Sequence, residues 1–251
     1  TDRVIEALNG GIDTQRASGN TTLAANVEDL ILTGAAISGT GNALANHLSG
    51  NDLDNILSGL AGADTMEGGK GNDQYYVTNA SDVVTEALDA GNDLVLSTLN
   101  YTLKANVERL TLLGLATTGT GNGLDNILTG NALANTLDGK AGNDTMIGGA
   151  GDDIYRVGSA GDQTVENAGE GNDTVIAVVD YALGAEVETL TLQGAARHGT
   201  GNTADNHLNG TAFADTLDGG IGADTMAGGG GDGAARRAAR RDRRPDRAAA
   251  A

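Results

Sequence analysis

The chain repeats itself at one fixed interval, the length of its first module, 1–80. Gly41-Asn42, Gly121-Asn122 and Gly201-Asn202 stand at that spacing, as do Asp64-Thr65-Met66, Asp144-Thr145-Met146 and Asp224-Thr225-Met226. Tyr101–Gly114 and Tyr181–Gly194 match at nine of 14 positions without a gap. A repeat of this kind cannot bury its apolar face alone; it stacks on its neighbours, so the architecture grows along one axis. The reading is one solenoid domain over 1–232, made of modules 1–80, 81–160 and 161–232. Spacing without gaps implies that each module adds a whole number of coils. A single inserted residue would turn every later side chain to the wrong face.

The later part of each module is built of nine-residue blocks. Module one has Gly41–Ser49 (GNALANHLS), Gly50–Ser58 (GNDLDNILS), Gly59–Glu67 (GLAGADTME) and Gly68–Tyr76 (GGKGNDQYY). Module two repeats these as GNGLDNILT, GNALANTLD, GKAGNDTMI and GGAGDDIYR, and module three as GNTADNHLN, GTAFADTLD and GGIGADTMA before the pattern breaks.

These blocks resemble the G-G-x-G-x-D-x-U-x repeat of the RTX (haemolysin-type) calcium-binding nonapeptide-repeat proteins. Eleven copies in register carry the resemblance, and with the spacers that family members also carry it covers almost the whole chain. It implies an all-β fold, a parallel β-roll or β-solenoid. It also implies a Ca2+ ion between stacked loops, held by the carboxylates at position 6 and the carbonyls at positions 2 and 4. Export by a type I system through a C-terminal signal, with folding outside the cell, is a further implication.

The residues support this chemistry on their own terms. Glycine at positions 1, 2 and 4 suits a tight turn with positive φ and close backbone approach. Such a turn aims carbonyl oxygens inward, and hard Ca2+ takes carbonyl and carboxylate oxygens together. The candidate ligand loops hold Asp64, Asp73, Asp144, Asp153, Asp215 and Asp224, with Gly62, Gly69, Gly71, Gly142, Gly149, Gly151, Gly220 and Gly222 at positions 2 and 4. Position 8 is apolar and begins a short core-facing strand: Leu48, Leu57, Met66 and Tyr75, then Leu128, Leu137, Met146 and Tyr155, then Leu208, Leu217 and Met226. Two blocks make one coil, so every second loop stacks on the same edge.

The first two blocks of modules one and two depart from the pattern. Position 6 is Asn46, Asn55, Asn126 or Asn135, and position 4 is leucine; Asn206 takes the same place in module three. These are weaker candidates: either closed loops stacked through asparagine hydrogen bonds, or loops in which asparagine is a neutral oxygen ligand. The expected stacks are Asn46 with Asp64, Asn55 with Asp73, Asn126 with Asp144, Asn135 with Asp153 and Asn206 with Asp224. The spacer before the blocks is expected to form wider coils. It holds a half-loop at Gly91-Asn92-Asp93 and Gly171-Asn172-Asp173, where Asp93 and Asp173 serve either as ion ligands or as ordinary turn residues. Ala105–Glu108 is read as one helical turn.

Charge sharpens the choice of partner. Residues 1–232 hold 8 basic and 32 acidic groups, whereas 233–251 hold seven arginines and two aspartates. An acidic body repels nucleic acid and attracts multivalent cations. The abrupt Arg/Ala tail at 233–251 is read as disordered or as a shifted reading frame, the other reading being a basic arm for acidic surfaces. With no cysteine there is no disulfide framework, and no apolar run is long enough for a membrane helix. The chain opens at Thr1 without a signal peptide and reads as part of a longer protein, with further repeat modules or a fused catalytic or adhesive domain outside it.

Catalytic motifs do not emerge. His47 and His207 share position 7 of a block, where Ile127 stands in module two, so they read as tolerated strand residues rather than bases or zinc ligands. No G-x-S-x-G elbow or phosphate-binding G-K-[ST] occurs. The favoured function is therefore a calcium-binding structural region of a secreted or cell-surface bacterial protein, not itself an enzyme. The alternatives are a non-catalytic appendage of a secreted protease, lipase or polysaccharide epimerase, and an adhesin or surface-layer stalk.

Overall fold

A computed structural model describes residues 4–7, 10–230 and the strand Ala234–Arg236. Among the described residues every regular element is a short β-strand. The first nine are β1 (Thr14–Ala17), β2 (Thr21–Thr22), β3 (Asp29–Leu32), β4 (Ser38–Thr40), β5 (His47–Ser49), β6 (Ile56–Ser58), β7 (Thr65–Glu67), β8 (Gln74–Val77) and β9 (Val83–Thr85). The next nine follow at the same places one module on: β10 (Leu94–Ser97), β11 (Tyr101–Thr102), β12 (Arg109–Leu112), β13 (Thr118–Thr120), β14 (Ile127–Thr129), β15 (Thr136–Asp138), β16 (Thr145–Ile147), β17 (Ile154–Val157) and β18 (Gln163–Val165). The third set is β19 (Thr174–Ala177), β20 (Tyr181–Ala182), β21 (Thr189–Leu192), β22 (His198–Thr200), β23 (His207–Asn209), β24 (Thr216–Asp218), β25 (Thr225–Ala227) and β26 (Ala234–Arg236).

Except at two breaks, each strand pairs in parallel with the strand two places on, so odd and even strands form the two faces of a solenoid. Within the nonapeptide blocks the pairing joins equivalent positions two blocks apart, as in Leu48 with Met66 and Leu128 with Met146. The alternation inward/outward over three residues explains why an apolar residue is needed only at position 8. Leu48, Leu57, Met66, Tyr75, Leu128, Leu137, Met146, Tyr155, Leu208 and Leu217 are all buried, while Met226 is half-buried. They stack into a narrow apolar column between the faces. His47 and His207 occupy outward, exposed strand positions.

Nine strands per module correct the expectation of whole coils. Each module adds four and a half coils, so β7 and β16, which hold Thr65 and Thr145, lie on opposite faces. The blocks contribute four strands and the spacer five. A half-coil shift is tolerated because the same side chains point into the lumen on either face. A slip of one residue would turn inward side chains outward, whereas a change of face keeps them inward.

The spacer holds both a wide and a narrow coil. Between β8 and β10, Gln74 pairs with Leu94, a longer step than between the blocks; between β10 and β12, Leu94 pairs with Arg109, a shorter one. The wide coil matches the expectation and the narrow one corrects it. The reading of Ala105–Glu108 as helical is also corrected: Ala105 and Asn106 form a turn, and Asn106 has a φ of 63°. The left-handed conformation at Asn106 ends any helical path. Sheet pairing is interrupted once on each face, between β9 and β11 and between β18 and β20. At the second break the Tyr181 hydroxyl donates to the Asp162 carbonyl at 3.3 Å. Of the arginine-rich segment 233–251, β26 pairs with β24; its other residues lie outside the described ones.

Candidate metal sites

The loops leading into the strands stack along two edges, and position 6 lines each edge with polar side chains. One edge runs Asn55, Asp73, Asp93, Glu108, Asn126, Asp144 and Asp162. The other carries Asn46, Asp64 and Asp82, then Asn135, Asp153, Asp173, Glu188, Asn206 and Asp224. All these aspartates and asparagines are buried.

Every expected stack forms. The backbone N–H of Asn46 donates to Asp64 Oδ1 at 2.8 Å, that of Asn55 to Asp73 at 2.7 Å, and that of Asn126 to Asp144 at 2.8 Å. Asn135 donates likewise to Asp153 at 2.6 Å and Asn206 to Asp224 at 3.0 Å. Each carboxylate thus spends one oxygen on the coil before it.

The second oxygen separates aspartate from asparagine. Oδ2 of Asp64, Asp73, Asp93, Asp144, Asp153 and Asp173 is buried without a hydrogen-bond partner. The asparagines are satisfied. Asn46 Nδ2 donates to the carbonyls of Val27 and Glu28 at 3.1 and 3.2 Å, and its Oδ1 accepts the Asn42 N–H at 2.7 Å. Asn126 repeats this with Val107, Glu108 and Asn122. Asparagine therefore supplies its own donor to carbonyls of the neighbouring coil. Aspartate supplies none and leaves an oxygen for something positively charged.

All eight candidate glycines adopt positive φ, from 77° at Gly220 to 149° at Gly222. At Gly71, a Cβ would also meet the Leu53 carbonyl oxygen of the adjacent coil at 2.7 Å. The turn thus needs glycine for both conformation and approach. Leu60 and Lys140, at position 2 of the third blocks, adopt φ of 68° and 73°.

Asp215 departs from the pattern. Thr211 closes its loop: the Thr211 N–H donates to Oδ2 at 2.7 Å and its hydroxyl to Oδ1 at 3.0 Å. Asp93 and Asp173 are not ordinary turn residues. They extend the ladder, accepting from the N–H of Asp73 and Asp153 at 2.8 Å.

Sequence reasoning missed several members. Asp82 and Asp162 follow Asp73 and Asp153 by one block length, at position 6 of a fifth block that has no glycine in module one and holds Gly158 and Gly161 in module two; that spacing was the available signal. Asp82 Oδ2 accepts the N–H groups of Thr78 and Asn79 at 3.0 and 2.9 Å, which closes its loop. Glu86 and Glu166 were also missed. One oxygen each from Asp73, Glu86 and Asp93 lies within 4.8 Å of the others, and Asp153, Glu166 and Asp173 repeat the cluster. The Tyr75 hydroxyl donates to Glu86 Oε1, and Tyr155 to Glu166.

The electrostatics follow from burial. Desolvation pushes the carboxyls of Asp73, Asp93, Asp144 and Asp153 up to about 6, and those of Glu86 and Glu166 up to about 7. Asp64 and Asp173 are raised for the same reason. Among the described residues the ion pairs are His47–Glu67, Lys70–Asp52, Lys140–Asp138 and His198–Asp180, so none neutralises the buried carboxylates. An all-oxygen set of carboxylates beside backbone carbonyls fits a hard divalent cation, Ca2+ above all.

The comparisons agree with this geometry. The profile described as RTX calcium-binding nonapeptide repeat matches four times, over residues 40–84, 120–155, 129–164 and 200–233. Endo-1,3-1,4-beta-glycanase ExsH of Rhizobium meliloti (strain 1021) is 44% identical over 64 residues, which are 26% of this chain and 14% of that protein. Endo-1,3-1,4-beta-glycanase EglC of the same organism is 35% identical over 83 residues, 29% of this chain and 18% of that protein. The chain thus spans less than a fifth of the length of either relative. With the repeat matched in all three modules and its loops stacked along both edges of a parallel solenoid, the chain belongs to the RTX calcium-binding nonapeptide-repeat family.

Proposed function

We propose that this chain is a calcium-dependent structural region of a secreted protein, folding as one solenoid over 1–232 when Ca2+ fills the loop stacks. One observation carries the reading: six buried aspartates keep Oδ2 without a partner. Leaving such oxygens bare costs roughly 1–3 kcal/mol each, more when charged. A cation removes that cost, and binding then contributes folding free energy because the site does not exist in the unfolded chain.

In this reading Asp64, Asp73, Asp144, Asp153 and Asp224 are carboxylate ligands, joined by Asp93 and Asp173. Carbonyls in the turns marked by Gly62, Gly69, Gly71, Gly142, Gly149, Gly151, Gly220 and Gly222 complete the shells. Asn46, Asn55, Asn126, Asn135 and Asn206 brace adjacent coils instead of ligating, and Asp215, closed by Thr211, is the weakest carboxylate. When bound, Ca2+ supplies charge neutralisation and cross-coil bridging; the chain supplies the rigid display of oxygens along both edges. Low cytoplasmic calcium would keep the chain unfolded for export, and extracellular calcium would fold it.

A second reading rests on the relatives' names: the chain is a non-catalytic part of a larger secreted enzyme acting on a 1,3-1,4-β-linked glycan. Equilibrium dialysis with radioactive calcium tests the first reading. Several ions bound per chain are expected, and none bound would overturn it. Incubation with a mixed-linkage β-glucan tests the non-catalytic part of the second; release of oligosaccharides would contradict it.

A further inference from the structure

The two carboxylate trios differ in kind from the other loop stacks. A typical stack, such as Asn46 with Asp64, pairs one carboxylate with one satisfied amide. The trios bring together Asp73, Glu86 and Asp93, and Asp153, Glu166 and Asp173. Their exposures are 1, 8 and 0% in the first and 1, 9 and 1% in the second. In all six residues the second carboxylate oxygen is buried and unpartnered. Each trio sits in the wide coil, where Asp73 accepts from one coil and donates its N–H to Asp93, as Asp153 does to Asp173.

Neighbouring residues support a built site. Glu86 follows Gly68, the first residue of the block below, by two block lengths, and Glu166 holds the same place over Gly148. A Cβ at Gly148 would collide with Asp153 Oδ2, the Tyr155 hydroxyl and, at 2.6 Å, Glu166 Oε1. Glycine there keeps the space open for the three oxygens. The tyrosine hydroxyl ties down Oε1 of the glutamate, which leaves Oε2 oriented and free. Fixing a ligand through its other oxygen is how an outer group tunes a metal site.

The geometry points to two high-affinity divalent-cation sites, one per trio, in which Glu86 and Glu166 are ligands and Tyr75 and Tyr155 are positioning residues. Because each module adds a half-coil, the two sites lie on opposite edges. They clamp the coil just before each break in sheet pairing, β9 to β11 and β18 to β20. This inference rests on the calcium-binding reading. It adds a separate class of site with three carboxylates, filled first because affinity rises with ligand charge.

The test uses the full chain, Ca2+ calorimetry and Tb3+ emission excited through tyrosine. The wild type should show two tight events ahead of weaker ones, with Tb3+ emission saturating at two equivalents. In Glu86→Gln/Glu166→Gln the two tight events should weaken on the order of 100-fold while the weaker class persists. In Tyr75→Phe/Tyr155→Phe two Tb3+ ions should still bind tightly, but the emission sensitised by those two ions should fall, with Tyr76, Tyr101 and Tyr181 the tyrosines that remain. A binding curve unchanged by the glutamate substitutions, or emission undiminished by loss of Tyr75 and Tyr155, would overturn this inference alone. A wild type that binds no calcium would overturn the calcium-binding reading with it.

Discussion

Asp64 and Asp144 hold the same place in successive modules yet lie on opposite edges of the solenoid. Asp64 leads into β7 on the odd-numbered face and Asp144 into β16 on the even-numbered face. Both accept a hydrogen bond of 2.8 Å from the coil before and keep Oδ2 buried and bare. The half-coil in each module therefore moves each block's carboxylate to the other edge from one module to the next.

Asparagine at these positions should trade ion binding for metal-free stability. Asn46 fills its own hydrogen-bonding capacity by donating to Val27 and Glu28. Asp64→Asn should do the same. We expect one fewer ion bound and a metal-free form more stable by roughly 1–3 kcal/mol, the usual cost of a buried unsatisfied polar group. Circular dichroism in chelator checks this: the variant should show more β signal than the disordered wild type, and no gain would count against the bare-oxygen account.

Acid should partly replace calcium. The folded chain raises Asp73, Asp93, Asp144 and Asp153 to about 6 and Glu86 and Glu166 to about 7. Their unfolded values lie near 4. Between those limits the folded state binds more protons than the unfolded one. The stabilisation is fully present below pH about 4 and is lost as pH rises through about 6 to 7. Circular dichroism in chelator should show more β signal at pH 5 than at pH 8, and the reverse order would contradict the assignment.

The strand faces can change; the residue register cannot. Deleting the block Gly50–Ser58 moves every later strand to the other face and keeps inward residues inward. Deleting Leu57 alone turns its strand inside out. The first variant should keep a calcium-induced β spectrum, and the second should lose much of it. Equal damage in both would argue that face matters.

Overfilling the narrow column should be costly. A methyl group at Gly119 on β13 would meet Leu110 Cδ2 at 3.1 Å and Leu137 Cδ2 at 3.2 Å. Gly119→Leu should destabilise the calcium-loaded form by about 1–3 kcal/mol or more. A thermal midpoint equal to wild type would show that the lumen has room to spare.

The nonapeptide part was legible in the sequence for a physical reason. Each block needs glycine where φ is positive, as at Gly71, and an apolar residue at one inward position, as at Leu128. The stacks such as Asn135 with Asp153 then follow from a coil of two blocks. The spacer was less legible. Its strands include pieces as short as Tyr101–Thr102, too short to show alternation. Five such spacer strands gave the half-coil that spacing alone concealed. Glu86 escaped notice because its partners, Asp73 and Tyr75, come from another coil and meet it only when the chain stacks.

The central claim is that calcium neutralises the bare aspartate oxygens and thereby folds the solenoid. A calcium titration of the chelated chain at pH 8, followed by far-ultraviolet circular dichroism and repeated with Mg2+, tests it most directly. The account predicts a cooperative transition from a disordered to a β spectrum with Ca2+ and little change with Mg2+. A full β spectrum in excess chelator would contradict it, and would mean that the asparagine braces and the apolar column hold the solenoid without the ion.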